Sequence, residues 1–377
     1  MSPELNAASL GVAMVGCGVI GHTHVAAIEA VDGVELVAIV DPIEQARTKF
    51  ADEVEARTGR RPTIYADLDS ALADSRVQLV AVGTPSGFHI EQGLAALRAG
   101  RHVIIEKPLD ASLTRVAEIE AEAADAARRG VVASVISQRR LDDSTRVVAD
   151  AIASGALGRV TSALATSPRW RSQDYYDSGD WRGTWKLDGG GALANQGIHT
   201  LDLLLCLMGR PVEIYARTAL LAHERVEIED TLVATISFES GALATMHAST
   251  AAYPGLDQRI QIMGSAGSAI IGENELEYLS TSASGDEAPG SAAPADGEHA
   301  RGVEQPAAGH IRQYRDVLHA IRTGGEPTVT VAAAAQSLIT MRATYISATL
   351  GRPVLFDDVR SGEYNDLEVR TEAGAAR

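Results

Sequence analysis

Two short stretches carry side chains that could move a proton. The first is Glu106-Lys107-Pro108, at the end of an apolar run. A lysine at the carboxyl end of a buried parallel strand lies where open α/β sheets bind ligands. Its ammonium can donate to a reacting oxygen and share in its proton movement. Pro108 would fix the chain just behind it, a cis bond being one way to aim the side chain. The second stretch runs from Asp188 through Gly189-Gly190-Gly191 to Asn195, His199 and Asp202. Three glycines leading into a Leu-rich helix let another surface, or a flat ring, come close. At roughly 100° per residue, Asn195, His199 and Asp202 fall within about 60° of one another on that helix. Cys206 lies on the same stripe, while Leu201, Leu204, Leu205 and Met208 turn away. A narrow polar stripe on an apolar helix must find partners if buried. His199 is the natural general base, because an unperturbed imidazole exchanges protons near neutrality.

A third constellation would hold a dinucleotide. Gly16-Cys17-Gly18-Val19-Ile20-Gly21 follows the first apolar run and opens a helical stretch. Gly16 allows the tight turn, Gly18 lets the backbone approach a pyrophosphate, and Gly21 permits close helix–strand packing. Val19 and Ile20 begin the helix whose amino terminus attracts phosphate. Asp41 ends the second run, 20 residues after Gly21. A carboxylate there can accept both ribose hydroxyls of an adenosine and would repel a 2′-phosphate. Pro42, not a basic residue, comes next, so NAD is expected rather than NADP, with Arg47 the nearest cation. The competing reading of Asp41 is a cap for the following helix. Thr84-Pro85 ends another strand and should face the nicotinamide half with Lys107. His22 and His24 have no third ligand nearby and read as packing residues, so no metal is expected.

Trp170, Arg171, Tyr175, Tyr176, Trp181, Arg182 and Trp185 crowd into 170–185 of a protein only 4% aromatic. Aromatic faces stack on sugar C–H surfaces, and arginines bind hydroxyls, phosphates or carboxylates, which suits a pocket lip. Aromatics plugging a domain interface would look the same. Arg169, Arg171 and Arg182 could grip an anionic group, and Gln138, Arg140 and His310 are further candidates for the cleft.

The elements that must position these groups are legible in outline. Apolar runs at Leu10–Val15, Val34–Val40, Val77–Val82, His102–Ile105 and Val131–Ile136 alternate with helical patterns such as Ile90–Ala99 and Ser112–Ala127. That texture predicts a parallel sheet covered on both faces, in a domain over 1–140. After a helix at Asp143–Ala153, strand-like runs follow one another at Val160–Ala165, Val212–Thr218, Thr231–Glu239, Ala242–Thr250, Arg259–Met263 and Ser268–Gly272. They predict an antiparallel sheet in a second, α+β domain over 141–377. The polar, Gly- and Pro-rich stretch 280–309 reads as a mobile insertion loop, and helices resume at His310–Thr323 and Ala332–Leu350. A formal charge of −17 disfavours nucleic acid and anionic membranes. Cys17 and Cys206 indicate no disulfide framework. The start shows no secretory pattern, and no run reaches the ~20 apolar residues of a membrane helix. A cytoplasmic location is expected.

The glycine turn, Asp41, Thr84-Pro85 with His89, Glu106-Lys107-Pro108, Gly189-Gly190-Gly191 and the Asn195–His199 helix, in this order, make the chain similar to the glucose–fructose oxidoreductase/inositol dehydrogenase/MocA (Gfo/Idh/MocA) family. The resemblance implies a Rossmann domain followed by a domain whose large open sheet serves oligomerisation, hence a homodimer or homotetramer. It implies NAD held by Gly16, Gly18, Val19, Ile20, Gly21, Asp41, Thr84, Pro85, His89, Glu106, Lys107 and Gln138. It implies a catalytic lysine and histidine, Lys107 and His199; together with the aromatic and arginine crowding above, the substrate is expected to meet Lys107, Tyr175, Trp181, Arg182, Asn195, His199 and His310. Many dehydrogenases of the family carry a carboxylate four residues before the histidine, where this chain has Asn195. An amide hydrogen-bonds a hydroxyl but cannot take its proton. The acid–base role then falls on His199 and Lys107, and the likeness shifts from inositol dehydrogenases toward relatives acting on sugars or nucleotide sugars. The expected reaction is hydride transfer between nicotinamide and a secondary hydroxyl or ketone. An NAD-dependent glycosidase working by transient oxidation and elimination is the alternative, as is a silent NAD-binding regulator, against which Lys107 and His199 argue.

Overall fold

The computed structural model describes residues 9–179, 182–185, 188–282 and 307–371. In chain order the first elements are β1 (Leu10–Val15), α1 (Val19–Glu29), β2 (Val34–Val40), α2 (Glu44–Thr58), β3 (Thr63–Tyr65), α3 (Leu68–Leu72), β4 (Leu79–Val82), α4 (His89–Arg98), β5 (His102–Ile105), α5 (Val116–Arg128) and β6 (Ala133–Val135). There follow α6 (Asp143–Ala153), β7 (Val160–Pro168), α7 (Gln173–Asp177), α8 (Ile198–Met208), β8 (Pro211–Ala219), β9 (Thr231–Phe238), β10 (Leu243–Ser249), β11 (Arg259–Gly264), β12 (Gly267–Gly272) and β13 (Glu275–Thr281). The last are α9 (Ala308–Thr323), α10 (Val331–Leu350), β14 (Val354–Leu355) and α11 (Phe356–Arg360). The chain divides into two units, Met1–Leu141 with Arg301–Ala335, and Asp142–Ala300 with Gln336–Arg377.

In the first unit β1 to β6 make a parallel sheet in the order β3-β2-β1-β4-β5-β6. Its central strands are apolar from end to end because helices cover both faces. No side chain of β4, nor of Val103, Ile104 and Ile105, is more than 1% exposed. On one face Val12, Met14, Ile28, Leu79 and Ile104 pack with Tyr314, Val317 and Leu318 of α9. Helix α9, expected in the second domain, therefore belongs to this unit. Its 314/317/318 stripe has the spacing of an amphipathic helix laid on a sheet. Strand order reverses at β1, which pairs with both β2 and β4, and ligands of open α/β sheets bind at the strand carboxyl ends beside such a reversal. The residues just past β1, β2, β4 and β5 include Gly16, Asp41, Thr84 and Lys107.

The second unit is built on an eight-stranded sheet in the order β13-β12-β11-β7-β10-β9-β8-β14. Every pairing is antiparallel except β7 with β10. Alternation along β8, β9 and β10 buries Ile214, Ala216, Ala234, Ile236, Ala244 and Met246 on one face. Helix α8 packs on that side against β7 and β11, and all five of its leucines are buried. The stretch expected as a mobile loop over 280–309 lies for the most part outside the described residues. Among the described residues no helix is long and apolar enough to cross a membrane.

Candidate active site

The glycine turn is shaped as its residues require. Gly16 has φ +99°, and a Cβ on it would stand 2.6 Å from the Gly83 carbonyl oxygen. A Cβ on Gly21 would stand 2.6 Å from the Gly16 oxygen, whereas one on Gly18 would meet nothing within 4 Å. Gly16 and Gly21 are thus glycines because protein lies against them. Gly18 opens onto free space at the amino terminus of α1, which has no side-chain cap. Uncapped helix amides beside an open glycine suit the pyrophosphate of a dinucleotide. Val19, beside Gly18, is 89% exposed, and Ile20 packs toward Gly83. Asp41 bonds the turn ahead of α2 without capping the helix itself. Its Oδ2 accepts from the Cys17 amide at 3.0 Å and its Oδ1 from the Ile43 amide at 2.9 Å. The carboxylate ties the glycine turn to the start of α2 and keeps lone pairs for a ribose. Burial, reinforced by Asp41, pushes the Cys17 thiol up to about 12, so it stays an unreactive thiol.

Lys107 is half-buried, and the Lys107–Pro108 peptide is cis. Its amide donates to Glu106 Oε2 at 3.0 Å. Glu106, expected to touch the cofactor, is only 4% exposed. Its Oε1 accepts from His24 Nε2 at 3.1 Å and from His310 Nε2 at 2.9 Å. Burial alone would raise this carboxyl, but the hydrogen bonds from the two imidazoles hold it well below the ordinary carboxylate range. His310, expected on the substrate side, gives its Nε2 to Glu106. His89, expected at the cofactor, is 1% exposed. Its Nδ1 meets the Pro108 carbonyl and its Nε2 the Thr84 carbonyl, each at 2.8 Å. It staples the Thr84-Pro85 turn to the turn after Lys107, a structural duty for which its spacing gave no sign. Thr84 Oγ1 donates to Gln92 at 2.7 Å. Gln138 lies in a 3-10 turn against Gly309, and its buried Oε1 has no protein partner, an acceptor suited to a bound amide or hydroxyl.

In the second unit a Cβ on Gly191 would lie 1.8 Å from the Glu229 carbonyl oxygen, so the glycine run is pressed against the strand that begins at Thr231. The Glu229 side chain holds the run. It accepts from the amides of Gly191 at 2.9 Å and Leu193 at 3.0 Å and from the Tyr345 hydroxyl at 2.9 Å. Burial pushes its carboxyl up to about 7 despite these donors. Leu193–Gly197 then forms one π-helical turn before α8. Wide turns of this kind recur at functional sites. Asn195 sits in that turn, its Nδ2 donating to Asp188 Oδ1 at 3.0 Å and to the Gly190 carbonyl at 3.2 Å, which leaves Oδ1 as its remaining polar atom. His199 lies in the first turn of α8, half-buried. Asp202, expected on the same polar stripe, is buried and accepts from Ser337 Oγ at 2.7 Å. Tyr175 carries two guanidiniums on its ring, Arg182 at 4.1 Å and Arg171 at 5.2 Å from the centroid. Arg169 pairs with Glu273, and Trp181 lies outside the described residues.

Residues 10–137 match the oxidoreductase family with an NAD-binding Rossmann fold, and residues 145–270 match the GFO/IDH/MocA C-terminal domain. The chain belongs to the Gfo/Idh/MocA family. Like others of that family it is an oxidoreductase with an NAD-binding domain. Myo-inositol 2-dehydrogenase of Thermotoga maritima is 27% identical over 272 residues, 71% of this chain and 76% of the relative. The WlbA dehydrogenase from Bordetella pertussis, solved with NADH and UDP-GlcNAcA, is 32% identical, with a TM-score of 0.75 over 92% of this chain and 98% of that one. An oxidoreductase domain protein from Kribbella flavida is 25% identical with a TM-score of 0.82, covering 93% and 99%.

What sequence reasoning missed in this Gfo/Idh/MocA chain are the residues that hold the candidate ones in place. His24 read as packing, yet its ring joins Tyr314 at 2.9 Å to Glu106. Their separations, 290 and 82 residues, leave no local pattern to read. Glu229 had only a weak signal, an acidic pair opening an otherwise apolar strand run. Asp188 had a better one, standing directly before three glycines.

Proposed function

We propose that this protein is an NAD-dependent dehydrogenase or reductase acting on a secondary hydroxyl or ketone of a sugar, polyol or nucleotide sugar. Lys107 and His199 serve one substrate oxygen. The neutral imidazole of His199 accepts the hydroxyl proton as the carbon is oxidised, and returns it in reduction. The Lys107 ammonium donates to the same oxygen and steadies its negative charge. Asn195, with Nδ2 committed to Asp188, offers Oδ1 to a neighbouring hydroxyl. The first unit's fit to the cofactor rests on the open Gly18, the uncapped α1 and the Asp41 carboxylate; bound there, nicotinamide supplies the hydride acceptor or donor. The observation that carries the reading is Lys107 on a turn locked by its own neighbour's buried carboxylate, at the carboxyl edge of the parallel sheet.

Among substrates, a nucleotide sugar has the most support. The WlbA dehydrogenase, 32% identical, was solved with UDP-GlcNAcA, and Arg171 and Arg182 gather positive charge on Tyr175 in a chain of net charge −17. Oligomerisation through the second sheet is part of the same reading. The face opposite α8 exposes Leu164, Tyr215, Val233 and Leu243. A panel of inositols, free sugars and UDP-sugars with NAD and NADP, read at the reduced-nicotinamide absorbance, tests the function. Turnover of UDP-sugars with NAD is expected. Release of an aglycone without net NADH would convert the reading to a glycosidase, and silence across the panel would end it.

A further inference from the structure

Four buried polar side chains stand behind Lys107 without facing any proposed substrate. Glu106, His24, His310 and Tyr314 are 4%, 0%, 6% and 1% exposed. They come from the end of β5, from α1 and from α9. Their hydrogen bonds form one directed chain. Glu106 is held ionised, by the balance described above, and can only accept. Each histidine nitrogen facing it must therefore carry the proton. Burial pushes His24 toward the neutral form, against the pull of Glu106. A neutral ring with its single proton on Nε2 presents a bare Nδ1, and the Tyr314 hydroxyl 2.9 Å away donates to it. The sequence of donors is thus Tyr314 to His24 to Glu106 Oε1, His310 to the same oxygen, and the Lys107 amide to Oε2 at 3.0 Å.

The rings pack as well as bond. His24 lies edge-on to His310 at 5.1 Å and to Tyr314 at 5.7 Å between centroids. A carboxylate gripped by two imidazoles on one oxygen has little freedom to rotate. Its other oxygen then fixes where the Lys107 amide sits, and so the root of the lysine side chain.

We propose that His24 and His310 are positioning residues for Lys107, acting through Glu106 to hold the turn from which the amine projects. The proposal rests on the catalytic reading of Lys107 given above. It gives α9, which returns to the first unit from far along the chain, a part in the reaction as well as in the core. A metal is the rival occupant, since ligand atoms of His24, Glu106 and His310 lie within 4.8 Å of one another. The direct contacts favour hydrogen bonds, because each ring nitrogen facing Glu106 already stands at 2.9 or 3.1 Å from its oxygen.

The test compares His310→Leu with His310→Gln, whose amide nitrogen has about the reach of Nε2 and keeps a donor. Two readouts are used on full-length protein. The first is steady-state turnover. His310→Leu should lower kcat roughly 10- to 100-fold, the scale of a 1 Å misplacement, with KM and NAD affinity within about threefold. His310→Gln should recover most of the loss. The second needs no substrate. Lys49, Lys107 and Lys186 are the only lysines in the sequence, and the Lys49 side chain is 78% exposed, an internal standard. Acetylation by acetic anhydride, mapped by peptide mass spectrometry, should give a Lys107/Lys49 rate ratio that moves severalfold in His310→Leu and returns to the wild-type value in His310→Gln. Unchanged ratio and kcat in a folded His310→Leu protein would overturn the proposal. So would equal losses in the two variants, or one tightly held zinc per chain by elemental analysis. Should His310→Leu fail to fold, the same comparison is made with Tyr314→Phe, which removes only the donor to His24. If Lys107→Ala left turnover intact, the catalytic reading would fail while the acetylation ratio still reported on the positioning.

Discussion

Lysine occurs three times in this sequence although lysine and arginine together number 33. Most of its cations are arginine, whereas position 107 keeps an amine, a compact point charge in place of a planar guanidinium. Lys107→Arg should therefore behave almost as badly as Lys107→Ala. Both should cut kcat by ~10²–10⁴, as should His199→Ala, with NAD affinity by fluorescence titration nearly unchanged. Equal loss of NAD binding would contradict the assigned roles. The glycines allow a sharper separation. Gly16→Ala forces a side chain onto φ +99° and to 2.6 Å from a carbonyl oxygen, so it should lower stability by about 1–3 kcal/mol. Gly18→Ala meets no protein atom; its melting temperature should match the wild type while NAD affinity drops more than tenfold. At this scale the sequence was legible for the residues of the glycine turn, whose types dictate their geometry. It was silent on those that face inward. His89 and His310 drew attention as ligand contacts, while the structure shows the protein bonds they also make, both His89 nitrogens on carbonyls and His310 Nε2 on Glu106.

Elements explain where that silence comes from. The parallel strands were readable since burial on both faces makes them apolar throughout, and only β3, three half-exposed residues, escaped. The π-helical turn at Leu193–Gly197 was not readable. Glu229, 36–38 residues along the chain, holds the amides of Gly191 and Leu193 at its start. This clamp carries a pH signature. The Glu229 carboxyl is raised from 4.5 to about 7 in the folded protein by burial. A raised carboxyl contributes stability that is full below the unfolded value and is lost as pH climbs through the folded one. Between pH 4.5 and above 7 this group should take away roughly 3 kcal/mol. Urea unfolding at pH 5 and pH 8 should show the fall. Glu229→Gln, less stable itself because an amide nitrogen must face an N–H donor, should lose the slope. Tyr345→Phe removes one donor and should cost about 1–2 kcal/mol, more at pH 8, where the carboxylate is ionised. An equal cost at both pH values would argue that Glu229 does not titrate in this range.

At the scale of the whole chain, fold class and family were legible from motif order, while the course of the chain between units was not. Periodicity locates helices but not the sheet each will cover, so α9 was assigned by its neighbours in sequence rather than by its apolar stripe. The open sheet of the second unit bears the remaining prediction. In register across β7, β10, β9 and β8 lie Leu164, Thr245, Thr235 and Tyr215, with Val233 and Leu243 on the adjoining rows. On the proposed assembly through this face, Val233→Asp should shift the sedimenting species to the monomer; a wild type that already sediments as a monomer, or an unaltered oligomer in the variant, would end that proposal. The return of α9 also bears on biosynthesis. Met14, Leu79 and Ile104 receive Tyr314, Val317 and Leu318 as their cover, so on the ribosome the nucleotide-binding sheet emerges long before its lining helix. It must wait, partly uncovered, while Asp142–Ala300 is translated. The nascent chain should therefore engage chaperones through this sheet, and an expressed fragment ending at Leu141 should aggregate.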